Sequence, residues 1–194
     1  MTTITVEAAL AADHAATENL LDLTFGLTRS TKTSYRLREG NTAIAGLSLV
    51  TREAGLGLTG AISFWPLKIG TAGTDALLLG PLAVHPQRQN IGIGRALMRA
   101  GVDKAKALGH PLVILVGDEP YYARVGFKRV PDGQLEMPGP VDPDRLLYLE
   151  LVEGALAEAH GLVLPPYRFA ELSAAFAVPH GGKGHQQQAQ AAQG

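Results

Sequence analysis

Apolar residues at Ala16, Leu20 and Leu23 recur every three to four positions, and this spacing predicts a helix that Asp13 can cap and Gly26 can end. A short strand at Ile4–Val6 is expected before it. The apolar stretch Ala43–Thr51 reads as a strand, EAGLGL (Glu53–Leu58) supplies turn residues, and Gly60–Leu67 reads as the returning arm of a hairpin. GTAGTD (Gly70–Asp75) turns the chain again. Ala76–Val84 (ALLLGPLAV) is too continuously apolar for a half-exposed strand and belongs in the centre of a sheet covered on both faces. After a polar loop at His85–Asn90, the positions Ile93, Ala96, Leu97, Ala100, Ala105 and Leu108 trace one face of a helix that Gly109 stops. Leu112–Val116 is a second buried strand, Pro120 suits the first turn of a short helix carrying Tyr121 and Tyr122, and Leu146–Val152 is a late strand. The strand, helix, strand unit from Leu77 to Val116 requires a right-handed crossover, so its two strands run parallel within an otherwise antiparallel sheet.

Composition narrows the chemistry. The 194 residues are 46% hydrophobic and 18% charged, enough for one well-buried domain, and the formal net charge of -1 gives no general attraction to nucleic acid or anionic lipid. With no cysteine, disulfides, thiolate metal sites and an acyl-cysteine intermediate are excluded. The N-terminus lacks a cationic start followed by an apolar run, so a cytoplasmic location is expected. The stretch from His180 onward (HGGKGHQQQAQAAQG) is rich in Gly, Gln and Ala; residues 1–179 are expected to form the domain and 180–194 a disordered tail. His180 and His185 have no acidic partner nearby in sequence, and no metal is expected.

Two stretches stand out. In QNIGIGRA, Gly92 and Gly94 remove side chains where a helix begins, so successive amides can converge on phosphate oxygens with Arg88 and Arg95 beside them. Such glycines also serve as plain turns or packing points. A Walker-type loop is excluded because Gly94-Arg95-Ala96 replaces Gly-Lys-Ser/Thr, and a dinucleotide loop is disfavoured because Leu97 stands where a third glycine belongs and six polar residues separate Val84 from Ile91. Asp118 and Glu119, which could meet a ribose, keep that reading as a rival. In LLLGPLAV, Gly80-Pro81 interrupts the central strand, which marks a bulge or a place where neighbouring strands part. A free edge at Leu82–Val84 leading into a phosphate turn fits an elongated ligand with amides at one end and a pyrophosphate at the other, the layout of coenzyme A.

Val84-x-Pro86 followed by Gln89-x-x-Gly92-x-Gly94 resembles the acetyl-CoA signature of the GNAT superfamily of N-acetyltransferases, and PYYARVGF (Pro120–Phe127) is similar to its later segment, with Tyr122 four residues before Gly126-Phe127. The resemblance runs from about Thr42 to Val130. LGPLAVHP, GDEPYYARVGF and PGPVDPDRLL are similar to a bacterial branch of predicted small N-acetyltransferases. It implies a single-domain α/β fold: a mixed, mostly antiparallel sheet with a central parallel pair splayed at a β-bulge and flanked by helices. It also implies direct transfer of the acetyl group of acetyl-CoA, the co-substrate, to a primary amine of a small molecule. An amine on a protein and a non-catalytic acyl-CoA-binding module are the alternatives.

By the same resemblance, the backbone of Leu82, Ala83 and Val84 binds the pantetheine arm and polarises the thioester carbonyl, and Gln89, Asn90, Ile91, Gly92, Ile93, Gly94 and Arg95 hold the pyrophosphate. Tyr122 is the expected general acid, since a phenol of pKa about 10 can protonate a thiolate of thiol pKa about 8.5; Tyr121 is expected to point elsewhere, and packing aromatics are the structural alternative for both. Glu119 is nominated as base, with Asp118, His85 and Glu53 as further candidates by type and an ordered water chain as another route. Acceptor specificity is expected from the N-terminal helix, from Arg29–Arg38 and from the residues after Val152. The basic run Arg29, Lys32, Arg36 and Arg38 is either a solvated face or a site for an acidic acceptor or the adenosine phosphate. Phe64 and Trp65 belong either to an acceptor pocket or to the core. No nucleic-acid or membrane partner is expected, and Leu162–Leu172 is the segment through which a homodimer would pair.

Overall fold

The computed structural model describes residues 4–177; the expected tail and its two histidines lie outside the described residues. In chain order the elements are β1 (Glu7–Ala8), α1 (His14–Phe25), α2 (Thr33–Arg36), β2 (Leu49–Glu53), β3 (Gly57–Ile69), β4 (Thr74–Val84), α3 (Ile93–Ala107), β5 (Leu112–Val116), α4 (Glu119–Tyr122), β6 (Lys128–Arg129), β7 (Leu135–Glu136), β8 (Leu146–Glu150), β9 (Gly161–Leu164) and α5 (Pro166–Ala177). The sheet runs β1-β2-β3-β4-β5-β8-β6, with β9 added to the far end of β3 and β7 paired with β9. Within the main path every neighbouring pair is antiparallel except β4 and β5, which are parallel as the crossover requires.

The central strands are covered on both faces. Leu77 and Leu79 of β4 and Val113 and Leu115 of β5 pack toward α3, while Ala76 and Leu78 and Leu112 and Ile114 face the opposite cluster. Alternation should then send Leu82 and Val84 away from α3, because strand side chains repeat every two residues. It does not. Ile62 of β3 faces Leu82, but Phe64 faces Leu79, so Ser63 stands opposite both Gly80 and Pro81. This extra residue in β4 inverts the alternation, and Leu82 and Val84 return to the α3 side while Ala83 packs with Leu20 and Leu21 under α1. A strand that is apolar throughout tolerates such a change of face without exposing a polar residue to the core.

Helix α3 lies on the sheet at unusually short range. A Cβ on Gly60 of β3 would stand 2.6 Å from Ile93 Cγ2, and one on Gly101 of α3 would stand 2.4 Å from Phe64 Cε2. Phe64 is fully buried there and is a core residue, not a lining of any cavity described below. Helix α5 closes the other end, with Phe169 over Gly73 of the β3–β4 turn. Among the described residues no helix is long and apolar enough to cross a membrane.

Three local expectations need correction. The first strand is Glu7–Ala8, because pairing with Leu49–Val50 sets its position while Ile4 and Val6 pack against the core. Asp13 stands before α1 without capping it: its carboxylate accepts from Leu10 N at 2.7 Å and from Arg52 Nη2 at 2.6 Å, which ties the helix start to β2. Leu108 is 58% exposed because it sits past the last turn of α3, where the apolar face has already left the sheet.

Gly101→Ala tests the helix–sheet contact. The added methyl meets an immobile ring, so the substitution is expected to lower stability by about 1–3 kcal/mol despite the better helix propensity of alanine, read as a fall in the urea midpoint.

Candidate functional site

Strand β4 pairs along its length with β3 but touches β5 only through Leu77 with Val113 and Leu78 with Ile114. Beyond Gly80-Pro81 the two parallel strands part, and Trp65 Nε1 holds the bulge from behind by donating to Gly80 O at 2.6 Å. The edge of Leu82–Val84 that faces away from β3 is left without a strand. His85 N donates to Thr59 O at 2.9 Å, so by the alternation of an antiparallel ladder Ala83 bonds to β3, and the amide groups of Leu82 and Val84 turn toward the gap.

Two cavities open into this gap. The larger, about 700 Å³, is lined by Leu82, Val84, the whole turn from Arg88 to Arg95, Met98 and Arg124. The smaller, about 260 Å³, lies between β4 and β5 and is walled by Arg29, Lys32, Tyr35 and Arg38 from the α1–α2 region and by Arg145. They share Phe25, Leu82, Asp118, Tyr121 and Tyr122, so the two cavities adjoin at these five residues.

The larger cavity carries the features of an anion site. Asn90 (φ 63°) and Gly92 (φ 100°) both adopt left-handed backbone, a conformation that costs an ordinary side chain but not glycine. Among the described residues no backbone N–H from Gln89 to Gly92 donates to a backbone carbonyl, and the first amides of α3 follow directly. Of the two arginines expected here, Arg88 is held by both carboxylate oxygens of Glu53, with its Nε at 2.5 Å, whereas Arg95 lines the cavity with no carboxylate partner among the described residues. Arg124, which the sequence reading missed, supplies the second such cation. It lies in the tyrosine segment, and only folding brings that segment over α3.

Both tyrosines reach the junction. Tyr121 does not point elsewhere: a Cβ on Gly94 would stand 2.0 Å from its hydroxyl, so the glycine makes room for that phenol. Tyr122 packs edge-on against Tyr121 at 5.1 Å and Phe127 at 6.0 Å, and its ring occupies the space a side chain at Gly117 would fill. Burial pushes the Tyr122 phenol up to about 12, with Tyr121 and Asp118 adding to the shift and Arg145 opposing it. It is therefore a weaker acid than the unperturbed phenol of the sequence argument, and it stays protonated throughout the physiological range.

The structure separates the carboxylate candidates. Glu119 and Asp118 are both exposed, but Glu119 lines neither cavity, because the short helix turns it outward. Asp118, one residue earlier, lines both and lies 3.2 Å from Arg145 Nε. Glu53 is committed to Arg88, and His85 Nδ1 accepts from Gln87 N at 3.2 Å. Among the described residues there is no cluster of three or more potential metal-binding side chains.

The basic run is a solvated face only in part: Lys32 and Arg36 are exposed, whereas Arg29 and Arg38 are half-buried. Arg29 is bound by Asp22 (2.7 Å), Glu18 and the Tyr35 hydroxyl (2.8 Å), Arg36 donates to Pro138 O at 3.0 Å, and Arg38 stacks on Tyr35. Each cation has a different task. Trp65 stands behind this wall, 5.6 Å from Arg38, and does not line it.

Residues 47–129 match the family model described as an acetyltransferase (GNAT) domain. The chain is 32% identical over 106 residues to the uncharacterized N-acetyltransferase YjhQ of Escherichia coli K12, a match that covers 54% of this chain and 58% of that relative's length. Among solved structures, the GNAT family N-acetyltransferase YhbS of Escherichia coli in complex with CoA superposes with a TM-score of 0.72 over 86% of this chain and 92% of that one, at 24% identity. A GNAT family acetyltransferase of Brucella melitensis in complex with acetyl-CoA gives 0.56 over 76% and 96%, at 28% identity.

The raised phenol predicts a pH dependence. Tyr122 keeps its proton in the folded state to about pH 12 but loses it near pH 10 when unfolded. Its contribution is complete below pH 10 and is lost as pH rises toward 12, so stability is expected to fall by roughly 2–3 kcal/mol over that interval. Urea unfolding from pH 9 to 12 should show this fall, and Tyr122→Phe should remove that component.

Proposed function

We propose that the chain belongs to the GNAT superfamily and is an acetyl-CoA-dependent N-acetyltransferase acting on a primary amine of a small molecule. The observation that carries the reading is the meeting of two differently built cavities at the parted strands: one lined by free amides and unpaired arginines, the other small and lined by side chains. The residues present fit acetyl-CoA. The Leu82 and Val84 amides offer strand-like partners to an amide-bearing arm, the Gln89–Gly94 amides with Arg95 and Arg124 offer donors to its phosphates, and the cleft is open between them. The CoA and acetyl-CoA complexes of the two solved relatives support the same ligand. A second cavity of about 260 Å³ suits a small acceptor.

When bound, acetyl-CoA supplies an activated acyl group; the chain aligns it with the amine and manages two protons. Alignment of this kind accounts for up to about 7–11 kcal/mol of a barrier. Asp118, the only carboxylate lining either cavity among the described residues, takes the proton from the incoming ammonium directly or through water. Tyr122 holds a proton on Oη for the departing sulfur. Its burial keeps that proton in place, and a donor in a site poor in water stabilises developing negative charge more than it would in bulk solvent.

Acetyl-CoA and CoA, tested beside NAD, are expected to raise the melting temperature while NAD does not; a ligand at about 100 times its Kd adds roughly 2.7 kcal/mol. A rise with NAD alone would overturn the ligand assignment. In a thiol-release assay over a broad amine panel, Tyr122→Phe is expected to keep acetyl-CoA binding and lose about 10²-fold or more in turnover. Asp118→Asn should be slowed more than Glu119→Gln. Equal turnover by wild type and Tyr122→Phe would remove the tyrosine from the mechanism.

A further inference from the structure

Arg38 is the feature that the proposed reaction does not use. It lines the smaller cavity, and its Nη2, sealed from solvent, is the one buried side-chain nitrogen or oxygen without a hydrogen-bond partner among the described residues. Its guanidinium lies 3.4 Å over the Tyr35 ring and 5.6 Å from the Trp65 ring, so aromatic faces hold its plane. Among the described residues no carboxylate pairs with it. Glu18 acts on it only through space, being committed with Asp22 to Arg29. The other cations of the same wall sort clearly: Arg29 is neutralised by that pair, Arg145 by Asp118 at 3.2 Å, and Lys32 has only the Phe25 ring, 5.1 Å away. After those pairings the cavity retains two positive charges, Arg38 and Lys32, and no free negative one among the described residues.

A guanidinium taken out of water without an anion is costly, and chains retain such groups where a ligand supplies the missing charge. The support is elaborate. Tyr35, on which Arg38 rests, is itself fixed by Arg29 Nη1 at 2.8 Å, and Trp65 is fixed by Gly80 O at 2.6 Å, the carbonyl that marks the strand bulge. Arg38 lines the small cavity but not the larger one, so a ligand group that meets it sits apart from the residues the two cavities share.

We infer that the acceptor is an amino acid or a related amine bearing a carboxylate, whose carboxylate pairs with Arg38, assisted by Lys32, while its amine lies at the Leu82, Asp118 and Tyr122 junction. This rests on the acetyltransferase reading of the same cleft and adds the class of acceptor to it.

The experiment uses the full chain and measures kcat/KM by thiol release for α-, β- and longer ω-amino acids, each paired with its own carboxamide and its decarboxylated amine, with acetyl-CoA binding followed separately by thermal shift. The expected result is that for the best acceptor the carboxylate exceeds its carboxamide by at least about tenfold, the scale of a charge-assisted pair. In Arg38→Gln that ratio is expected to fall toward one, while acetyl-CoA still raises the melting temperature. The comparison on the unaltered protein does not depend on the variant folding. Carboxamides or decarboxylated amines that match or outperform the acids would overturn the inference and leave the acetyltransferase reading intact, as would acetyl-CoA binding with no carboxylated amine acetylated, or an unchanged ratio in a folded Arg38→Gln. Absence of any acetyl-CoA effect on melting would instead remove the underlying reading and the inference with it.

Discussion

The parting of β4 from β5 is the constraint on which the cleft depends. Two parallel strands that could pair along five residues pair along two, because Gly80-Pro81 puts an extra residue into β4 and turns its second half away. The same residue reverses the side-chain alternation, which keeps Leu82 and Val84 on the α3 side of the core. One local irregularity therefore opens the sheet, exposes a strand edge and preserves the packing. An apolar strand end without a neighbour is a liability that folds ordinarily cover; here α1, α3 and α4 surround it without filling it, and the result is a cleft lined from both ends.

Electrostatics then divides that cleft. Glu53 takes up Arg88 beside the glycine turn, leaving Arg95 and Arg124 to face the larger cavity, while Glu18 and Asp22 take up Arg29 and leave Arg38 to face the smaller one. A chain whose formal charge is -1 thus presents positive charge in both halves of one groove. Net charge is a sum over the surface, whereas a ligand meets only the groups that have no internal partner. Asp118 is the exception at the junction, where the proposed reaction needs a carboxylate.

Glycine sets the distances. Gly60 and Gly101 allow α3 to settle on β3, Gly94 admits the Tyr121 hydroxyl to the head of that helix, and Gly117 admits the Tyr122 ring to the end of β5. Each removes a methyl where another side chain must stand. Together they bring the turn after β4 and the segment after β5, about thirty residues apart in sequence, within reach of one ligand.

Much of this was determined by the sequence alone. The apolar run of β4 announced a strand buried on both faces, the period of α3 its helix, and Gly80-Pro81 the break within β4, because strand and helix periodicity and the backbone limits of glycine and proline act over a few neighbouring residues. The glycine turn ahead of α3 was legible for the same reason, whereas Tyr122 was singled out only by the family resemblance. Other features were decided only by tertiary structure: that Asp118 and not Glu119 faces the cleft, that Tyr121 reaches Gly94, that burial raises the Tyr122 phenol, and that Arg124 joins Arg95. The basic run shows the difference most clearly. Four similar cations within ten residues look alike in sequence, yet Glu18 and Asp22 take Arg29, Pro138 takes Arg36, Phe25 meets Lys32, and Arg38 is left among the described residues with aromatic rings and no anion. Charge type is a property of the residue; whether that charge is satisfied depends on what the fold brings beside it.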